Sequence, residues 1–189
     1  MSNKFQDLKK FKMPKNFRGR SIFYVQLWWC VQKSLFALSP QFAYGWRNFL
    51  LRSFGAKIGD GVIIRPTVTV TYPWKVSIGD YSWVGDNTVL YSLGEILIGS
   101  NVVVSQNCYL CTGSHDPGQV DFPIWSKKIK LENECWIASD VYIAPNTTVG
   151  KGAVVAARST VLKNLESGWV YAGTPAIKVK ERGAGLKTF

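Results

Sequence analysis

Residues 131–166 read LENECW IASDVY IAPNTT VGKGAV VAARST VLKNLE, and an aliphatic residue opens each group of six. A small or β-branched residue lies two positions before these aliphatic residues, for example Cys135, Val141 and Ala153. A period of six does not match the 3.6-residue period of an α-helix. The pattern therefore predicts a narrow coil of parallel β-strands, with one large and one small inward-facing residue in each group.

The same period extends back toward the N-terminus, so that three groups of six make one turn of the coil. Turns are predicted to begin at Ile58, Ile78, Ile98, Leu131 and Val149. The first two turns are each 20 residues long and the fourth is 18, so one corner of the early turns carries two extra residues. Turns should stack about 4.8 Å apart through backbone hydrogen bonds and contact only their neighbours. The sequence thus predicts an all-β fold of about five coils.

The repeat breaks once, between Ile98 and Leu131. A regular 20-residue step would start the fourth turn at residue 118, but the pattern resumes only at Leu131. About 13 residues are therefore extruded from the coil, in a loop expected over about residues 112–128. His115, the only histidine among 189 residues, lies at the entrance of this loop. Long insertions in compact repeats are often functional, which makes His115 a candidate catalytic residue.

The composition limits the possible partners. Hydrophobic residues make up 47% of the chain and charged residues 19%, as in a folded protein. A net charge of +11 suits an anionic partner such as an acidic polymer, a phosphorylated cofactor or a membrane. Without an arginine-rich run or zinc-finger spacing, no nucleic-acid partner is expected. Cys108 and Cys111 form a single Cys-x-x-Cys pair, which is too little for zinc, so no metal is expected either.

The N-terminal segment has a different character from the repeat. Its first 20 residues contain seven Lys or Arg and one Asp. Residues Ser21 to Leu38 are apolar but are interrupted by Gln26 and Lys33, among others. This stretch is shorter and more polar than the roughly 20 apolar residues that cross a membrane. Two interpretations remain open: a helix that covers the open end of the coil, or an interfacial helix with a basic flank.

The repeat resembles that of the hexapeptide-repeat acyltransferase family over about residues 56–176. That resemblance implies a left-handed parallel β-helix. The segments LRSFGAKIGDGV, YPWKVSIGDYSWVG and CTGSHD are similar to the branch of colanic-acid and exopolysaccharide biosynthesis acetyltransferases. The expected organisation is a basic and aromatic helical appendage over 1–55, the catalytic coil over 56–176, and a basic tail over 177–189.

The resemblance also implies an activity. The chain is expected to transfer an acetyl group from acetyl-CoA to a sugar hydroxyl of an exopolysaccharide intermediate, with His115 as the general base. Imidazole suits this role because its unperturbed pKa of about 6.5 leaves it mostly neutral near pH 7. The family further implies a homotrimer with active sites between subunits. Its expected location is the cytoplasm; if the N-terminal segment is the interfacial helix, peripheral contact at the inner face of the cytoplasmic membrane is expected as well.

A carboxylate or a carbonyl is expected to hold the second ring nitrogen of His115. Four nearby carboxylates are candidates, with none preferred: Asp116, Asp121, Glu132 and Glu134. Cys111 leaves a second mechanism open, in which a Cys–His pair forms an acyl-enzyme.

Matching the family's motifs residue by residue assigns further roles. Trp136 and Asp116 are predicted to contact the substrate. Arg158 occupies a position where relatives usually have glycine, and it is either a phosphate contact or a solvent-exposed corner. The predicted cofactor-binding residues are Ser139, Ala157, Arg158, Lys178 and Lys180.

Two other functions of this fold do not match the sequence. A γ-class carbonic anhydrase needs three histidines around zinc, and one histidine excludes it. Sugar-nucleotide pyrophosphorylases need an additional α/β domain that this chain lacks. Two alternatives remain: an acetyltransferase for small molecules of the galactoside, maltose or antibiotic type, and a non-catalytic β-helix scaffold.

Overall fold

The computed structural model describes residues 4–183, so the outermost parts of the predicted appendage and tail, residues 1–3 and 184–189, lie outside it. Three parallel sheets form the sides of a prism. Sheet A contains Lys57–Ile58, Val76–Ile78, Ile96–Ile98, Ile129–Leu131 and Thr148–Val149. Sheet B contains Ile63–Ile64, Trp83–Val84, Val103–Val104, Trp136–Ile137, Val154–Val155, Trp169–Ala172 and Ile177–Glu181. Sheet C contains Thr69–Val70, Val89–Tyr91, Tyr109–Cys111, Tyr142–Ile143 and Thr160–Val161.

The register between coils follows the predicted repeat. Along sheet A, Ile58 pairs with Ile78, Ile78 with Ile98, Ile98 with Leu131, and Leu131 with Val149. The five predicted turn starts are therefore confirmed. A sixth, incomplete coil follows, because Leu165 forms a parallel bridge to Val149 and Trp169–Ala172 pairs with Val154–Val155.

Both inward registers form the core of the prism. The large aliphatic positions are almost fully buried, and so are the small ones such as Val102, Cys108 and Cys135. Burial raises the pKa of the Cys108 and Cys135 thiols to about 11, as expected for cysteines that act as compact apolar fillers. The polar residue Ser82 also points inward, and its hydroxyl donates to Gly99 O and accepts from Val102 N. The narrow interior is therefore packed and hydrogen-bonded.

The corners of the coil need a left-handed backbone. The third residue after an inward aliphatic residue has a positive φ at eleven of these corners: Gly61, Tyr81, Asn87, Asn101, Asn107, Glu134, Asp140, Asn146, Gly152, Arg158 and Gly168. Asn and Asp adopt this conformation more readily than other side chains, which explains their frequency at these positions. Arg158 has a φ of 59° and is exposed, so it occupies an ordinary corner of the repeat.

Two helices cover the N-terminal end of the coil. Helix α1 spans Ile22–Val31 and continues as a π-helix over Gln32–Phe36, and helix α2 spans Tyr44–Ser53. The Ser21 hydroxyl accepts from Tyr24 N and so begins α1. A stripe at helical spacing is buried against the coil: Val25, Trp28, Gln32 and Phe36. We call residues 21–54 the helical cap. No helix within residues 4–183 has the length and apolar character that a membrane crossing requires.

Side chains of the cap form hydrogen bonds with backbone groups of the first coil in all three sheets. On sheet B, Arg47 Nε donates to Ile64 O at 2.7 Å and Asn48 Nδ2 to Val62 O at 2.8 Å. Arg52 donates to Ile58 O on sheet A. On sheet C, Trp28 Nε1 donates to Val70 O at 2.8 Å, while Val70 N donates to Gln32 Oε1 at 2.6 Å. The first coil therefore has partners where a preceding coil would otherwise supply them.

The residues before the cap form an extended N-terminal arm, residues 4–20, which includes a short 3₁₀-helix at Leu8–Lys10. Trp74 Nε1 donates to Arg18 O and Lys75 Nζ to Phe17 O, both at 2.7 Å. Trp74 and Lys75 lie in a 3₁₀-helix, Pro73–Lys75, at the corner that contains the two extra residues. These extra residues therefore hold the arm along the side of the coil.

The expected basic tail is partly a strand. Ile177–Glu181 pairs antiparallel with Trp169–Ala172 in sheet B. Lys178 Nζ lies 2.6 Å from Glu166 Oε2 and 4.1 Å from the centroid of the Trp169 ring. Residues up to Glu181 are thus ordered by the last coil, because an antiparallel return satisfies the exposed edge of that strand.

We expect Arg47→Met to destabilise the fold by about 3 kcal/mol or more, because it leaves several acceptors in the cap without a donor. Besides Ile64 O, the Arg47 guanidinium binds Ser39 Oγ, Pro40 O and Gln41 O. Urea unfolding is the measurement, and Lys57→Met, an exposed cation on the first coil, is the control. Equal midpoints for the two variants would contradict a structural role for the Arg47 hydrogen bonds.

Candidate functional site

The extruded loop is a β-hairpin. Gly113–His115 pairs antiparallel with Ile124–Ser126, and His115 is opposite Ile124. Residues 112–128, the His115 hairpin, leave the coil after the Tyr109–Cys111 strand of sheet C and re-enter it at Ile129–Leu131 of sheet A. The hairpin therefore stands at the corner between sheets C and A. Ordered pairing places His115 on a defined strand and not in a flexible loop.

A backbone carbonyl holds the imidazole ring. His115 Nδ1 lies 2.9 Å from Phe122 O, and this carbonyl oxygen can only accept, so Nδ1 carries the proton and donates. The Phe122 ring stacks on the imidazole with centroids 4.3 Å apart and an interplanar angle of 8°. The lone pair of the ring is therefore on Nε2, and the imidazole can accept a proton only there.

The four candidate carboxylates are engaged elsewhere or do not reach the ring. The Asp116 carboxylate accepts from Gln119 Nε2 at 2.7 Å and Gly118 N at 2.9 Å, and these bonds lower its pKa. Glu132 binds Lys130 and the backbone of Lys151. From the sequence, either a carboxylate or a carbonyl was expected as the partner of Nδ1, and the structure has the carbonyl. Asp116 shapes the turn of the hairpin beside His115.

The N-terminal arm reaches the hairpin, which the sequence did not indicate. Asp7 N donates to Val120 O at 2.7 Å. The ring of Phe11, a half-buried residue, lies 6.0 Å from that of His115, tilted by 51°. Phe11 and Phe122 thus both contact the imidazole, and the arm helps to fix the ring. The hydrophobic character of Phe11 was visible in the sequence, but its distance of 104 positions from His115 along the chain hides the contact.

Cys111 is poorly placed for nucleophilic attack. The residue is buried, and its thiol donates to Gly113 O at 3.1 Å. Its sulfur is thus directed into the base of the hairpin and away from solvent. The geometry favours His115 over Cys111 as the reactive group.

The predicted cofactor residues lie on a different part of the prism from His115. Ser139 and Arg158 occupy the same corner of successive coils, between sheets B and C, and Arg158 N donates to Ser139 O at 2.9 Å. Ala157 is in the same corner. Lys178 and Lys180 lie on the last strand of sheet B. The structure therefore groups these five residues along one corner and one face.

Trp136 is on sheet B, with its side chain exposed on the outer surface and its Nε1 3.2 Å from Ser105 Oγ. In a three-sided prism, sheet B is opposite the corner between sheets C and A, where His115 stands. The coil itself therefore separates Trp136 from His115 within one chain. His115 and Trp136, which are predicted to act in one reaction, can therefore lie in one site only if a second copy of the chain contributes one of them.

A groove that sequence reasoning did not identify runs along the same outer surface. It has a volume of about 680 Å³, and Ile63, Trp83 and Val103 of sheet B contribute to its lining. Arg65 and Asp86, whose side chains lie 2.8 Å apart, contribute an ion pair. The Trp83 and Trp136 side chains both flank Val103 in the outward row of sheet B. This apolar row therefore has room for another molecule.

The sequence and the fold are similar to those of known proteins. The family model of the bacterial transferase hexapeptide (six repeats) matches residues 128–163. Over 177 residues the chain is 55% identical to the putative colanic acid biosynthesis acetyltransferase WcaF of Escherichia coli K12, covering 94% of this chain and 97% of that protein. The chain belongs to the hexapeptide-repeat acyltransferases.

Two further comparisons extend this result. Galactoside O-acetyltransferase of Escherichia coli K12 is 28% identical to this chain. The match covers 71% of this chain and 68% of the galactoside enzyme. The hexapeptide-repeat acetyltransferase VCA0836 of Vibrio cholerae O1 biovar eltor, solved with acetyl-CoA, superposes with a TM-score of 0.75 at 23% identity, covering 84% and 87% of the two chains. The predicted fold, a left-handed parallel β-helix with a short helical part at the N-terminus, is confirmed.

We expect Phe11→Ala to lower kcat/KM by about tenfold or more, because a ring that stabilises the orientation of His115 is lost. Phe11→Tyr should restore most of the activity, since it keeps the ring. Steady-state kinetics and urea unfolding should be measured together, with Phe5→Ala as the control, because Phe5 is on the same arm and 85% exposed. Equal activity of the Phe11→Ala and Phe5→Ala variants would contradict a positioning role.

Proposed function

We propose that the protein is an acetyl-CoA-dependent O-acetyltransferase, with a sugar hydroxyl of a bacterial exopolysaccharide of the colanic acid type as acceptor. The observation that carries the proposal is the hydrogen bond between His115 Nδ1 and Phe122 O. It leaves Nε2 free to take a proton from an acceptor hydroxyl, as a general base must. Family membership supports the acyltransferase chemistry and acetyl-CoA as the donor.

In the proposed reaction, the acceptor hydroxyl gives its proton to Nε2 of His115 while its oxygen attacks the thioester carbonyl of acetyl-CoA. A carbon–oxygen bond forms, and the carbon–sulfur bond breaks. The proton on Nε2 then passes to the leaving thiolate, so that free CoA and the acetyl ester are released and His115 is neutral again. The Nδ1 hydrogen bond to Phe122 O stabilises the imidazolium that exists between the two proton transfers.

We further propose that the active site lies between two subunits of a homotrimer. The support is that His115 and Trp136 lie on opposite sides of one prism. His115, with Asp116 beside it, would come from one subunit. Trp136 would come from the next, along with the predicted contacts to CoA at Ser139, Ala157, Arg158, Lys178 and Lys180. Glu166 already neutralises Lys178, so a CoA phosphate would have to displace this ion pair.

The relatives support an exopolysaccharide acceptor over a small free sugar. The putative colanic acid acetyltransferase matches nearly the whole chain at 55% identity, whereas the galactoside enzyme matches about two thirds at 28%. The net charge of +11 also suits an acidic glycan. A donor that occurs in the cytosol places the proposed reaction on the cytoplasmic side.

To test the proposal, wild type and His115→Ala should be supplied with acetyl-CoA and a panel of lipid-linked and free glycans, following thiol release. Loss of the general base should lower kcat by about 10²–10⁴-fold while CoA affinity is retained. Turnover that survives the substitution would refute His115 as the base. Turnover only of free sugars or drugs would favour the small-molecule alternative, and CoA binding without turnover would favour the scaffold.

Mixed trimers test where the active site lies. His115→Ala and Trp136→Ala chains should be unfolded, mixed in equal amounts and refolded together. If the site takes His115 from one subunit and Trp136 from its neighbour, random mixing restores about a quarter of the wild-type sites. Each variant refolded alone is the control and should be inactive. The absence of any recovery in the mixture would contradict a site that takes His115 from one subunit and Trp136 from its neighbour.

A further inference from the structure

Helix α1 of the helical cap carries apolar side chains on its outer side as well as on its inner side. On α1, Val25 and Trp28 face the coil and are buried, whereas Phe23 and Leu27 lie on the opposite side of the helix. Phe23 is 83% exposed. A helix that is apolar all round is normally covered on every side. The coil covers only one side of α1, so its other side lacks a partner within residues 4–183.

The apolar surface continues beyond α1 onto α2. Trp46 Nε1 donates to Leu35 O at 2.9 Å and so joins the two helical segments, and the Trp46 and Phe49 rings stack 5.8 Å apart. Leu38 and Phe42, in the connection between the segments, are 82% and 81% exposed. We define the outer cap surface by its exposed apolar residues: Phe23, Leu27, Leu35, Leu38, Phe42, Trp46 and Phe49.

The charged residues of the cap and of most of the arm have a single sign. From Leu8 to Gly59 the sequence contains no Asp or Glu. The same stretch contains ten basic residues: Lys9, Lys10, Lys12, Lys15, Arg18, Arg20, Lys33, Arg47, Arg52 and Lys57. Lys33 is exposed within the π-helical segment, and Arg20 is exposed two residues before α1. The charged side chains of the cap and of the adjoining arm from Leu8 onward are thus all positive.

We propose that the outer cap surface binds an anionic lipid membrane. Aromatic and aliphatic side chains beside lysine and arginine are the composition of segments that lie in the membrane interface, with their rings among the lipid headgroups. Acidic lipids attract the basic flank, and each nearby cation adds to the binding. A second copy of the same surface would instead bring like charges together, which disfavours self-association.

The first experiment compares vesicle binding of wild type and the triple variant Phe23→Ser, Leu38→Ser, Phe42→Ser. These side chains are highly exposed, so the fold should be preserved. Co-sedimentation with phosphatidylcholine vesicles containing phosphatidylglycerol should show that the triple variant binds at least about tenfold more weakly. Leu162→Ser is the matched control, because Leu162 is 57% exposed but belongs to a later coil, and this variant should bind as wild type does.

The second experiment uses the cysteine on the outer side of α1 and leaves the apolar surface intact. Cys30 is exposed, whereas Cys108, Cys111 and Cys135 are buried, so a polarity-sensitive fluorophore should react mainly with Cys30. Its emission should shift to the blue with acidic vesicles. The same label at Leu162→Cys, in a Cys30→Ser background, should not shift. Added salt should weaken binding, since the attraction is partly electrostatic.

Three results would overturn the proposal. The first is equal binding by wild type and the triple variant, and the second is equally strong binding to pure phosphatidylcholine. The third is the absence of vesicle binding. If the wild type then self-associates and the triple variant does not, the outer cap surface binds a second copy of the chain. None of these measurements depends on acetyl transfer, so their failure and that of the proposed enzymatic function can be told apart.

Discussion

The structure depends on hydrogen bonds between successive coils, which leave the first coil with a row of backbone groups that no earlier coil can satisfy. The helical cap supplies the missing partners from Trp28, Gln32, Arg47, Asn48 and Arg52. A strand added to this edge would repeat the coil, whereas side-chain donors end it. The cap is thus required by the coil's own geometry. The same requirement keeps one face of the cap helices against the coil and turns the other outward.

The candidate active site follows from a second departure from regular coiling. The hairpin that carries His115 pairs with itself before the chain returns to sheet A, so the histidine stands clear of the prism. Its partner is a carbonyl, which has no ionisable proton, whereas a second imidazole would change its charge near neutral pH. The proton position on the ring is therefore set by the backbone of the hairpin, and Phe11 and Phe122 add apolar contacts to the imidazole.

The sequence predicted those parts of the structure that are governed by a strict period. Successive strands of sheet A had to pair in one register, because a shift of one residue would turn the inward side chains outward. That register aligns Ile58, Ile78, Ile98, Leu131 and Val149. The position of the hairpin followed from the one break in that period. The partner of His115 could not be assigned because a carbonyl is present in every residue and leaves no sequence signal. Likewise, the role of Arg47 and the contact of Phe11 join segments far apart in the chain, without a repeat to reveal them.

The two ends of the prism are closed by different means, and this has a consequence for assembly. Parallel coils are self-complementary, so an uncapped prism could stack on another end to end and grow into a fibre, as open sheet edges do in amyloid. Here one end presents helices, and at the other Ile177–Glu181 reverses direction beside the last strand of sheet B. The end coil of a second prism would therefore find no free parallel strand to pair with at the helical end, and none in sheet B at the other end. The cap and the final strand therefore act as stops against end-to-end stacking, so that copies of the chain would associate through the sides of the prism.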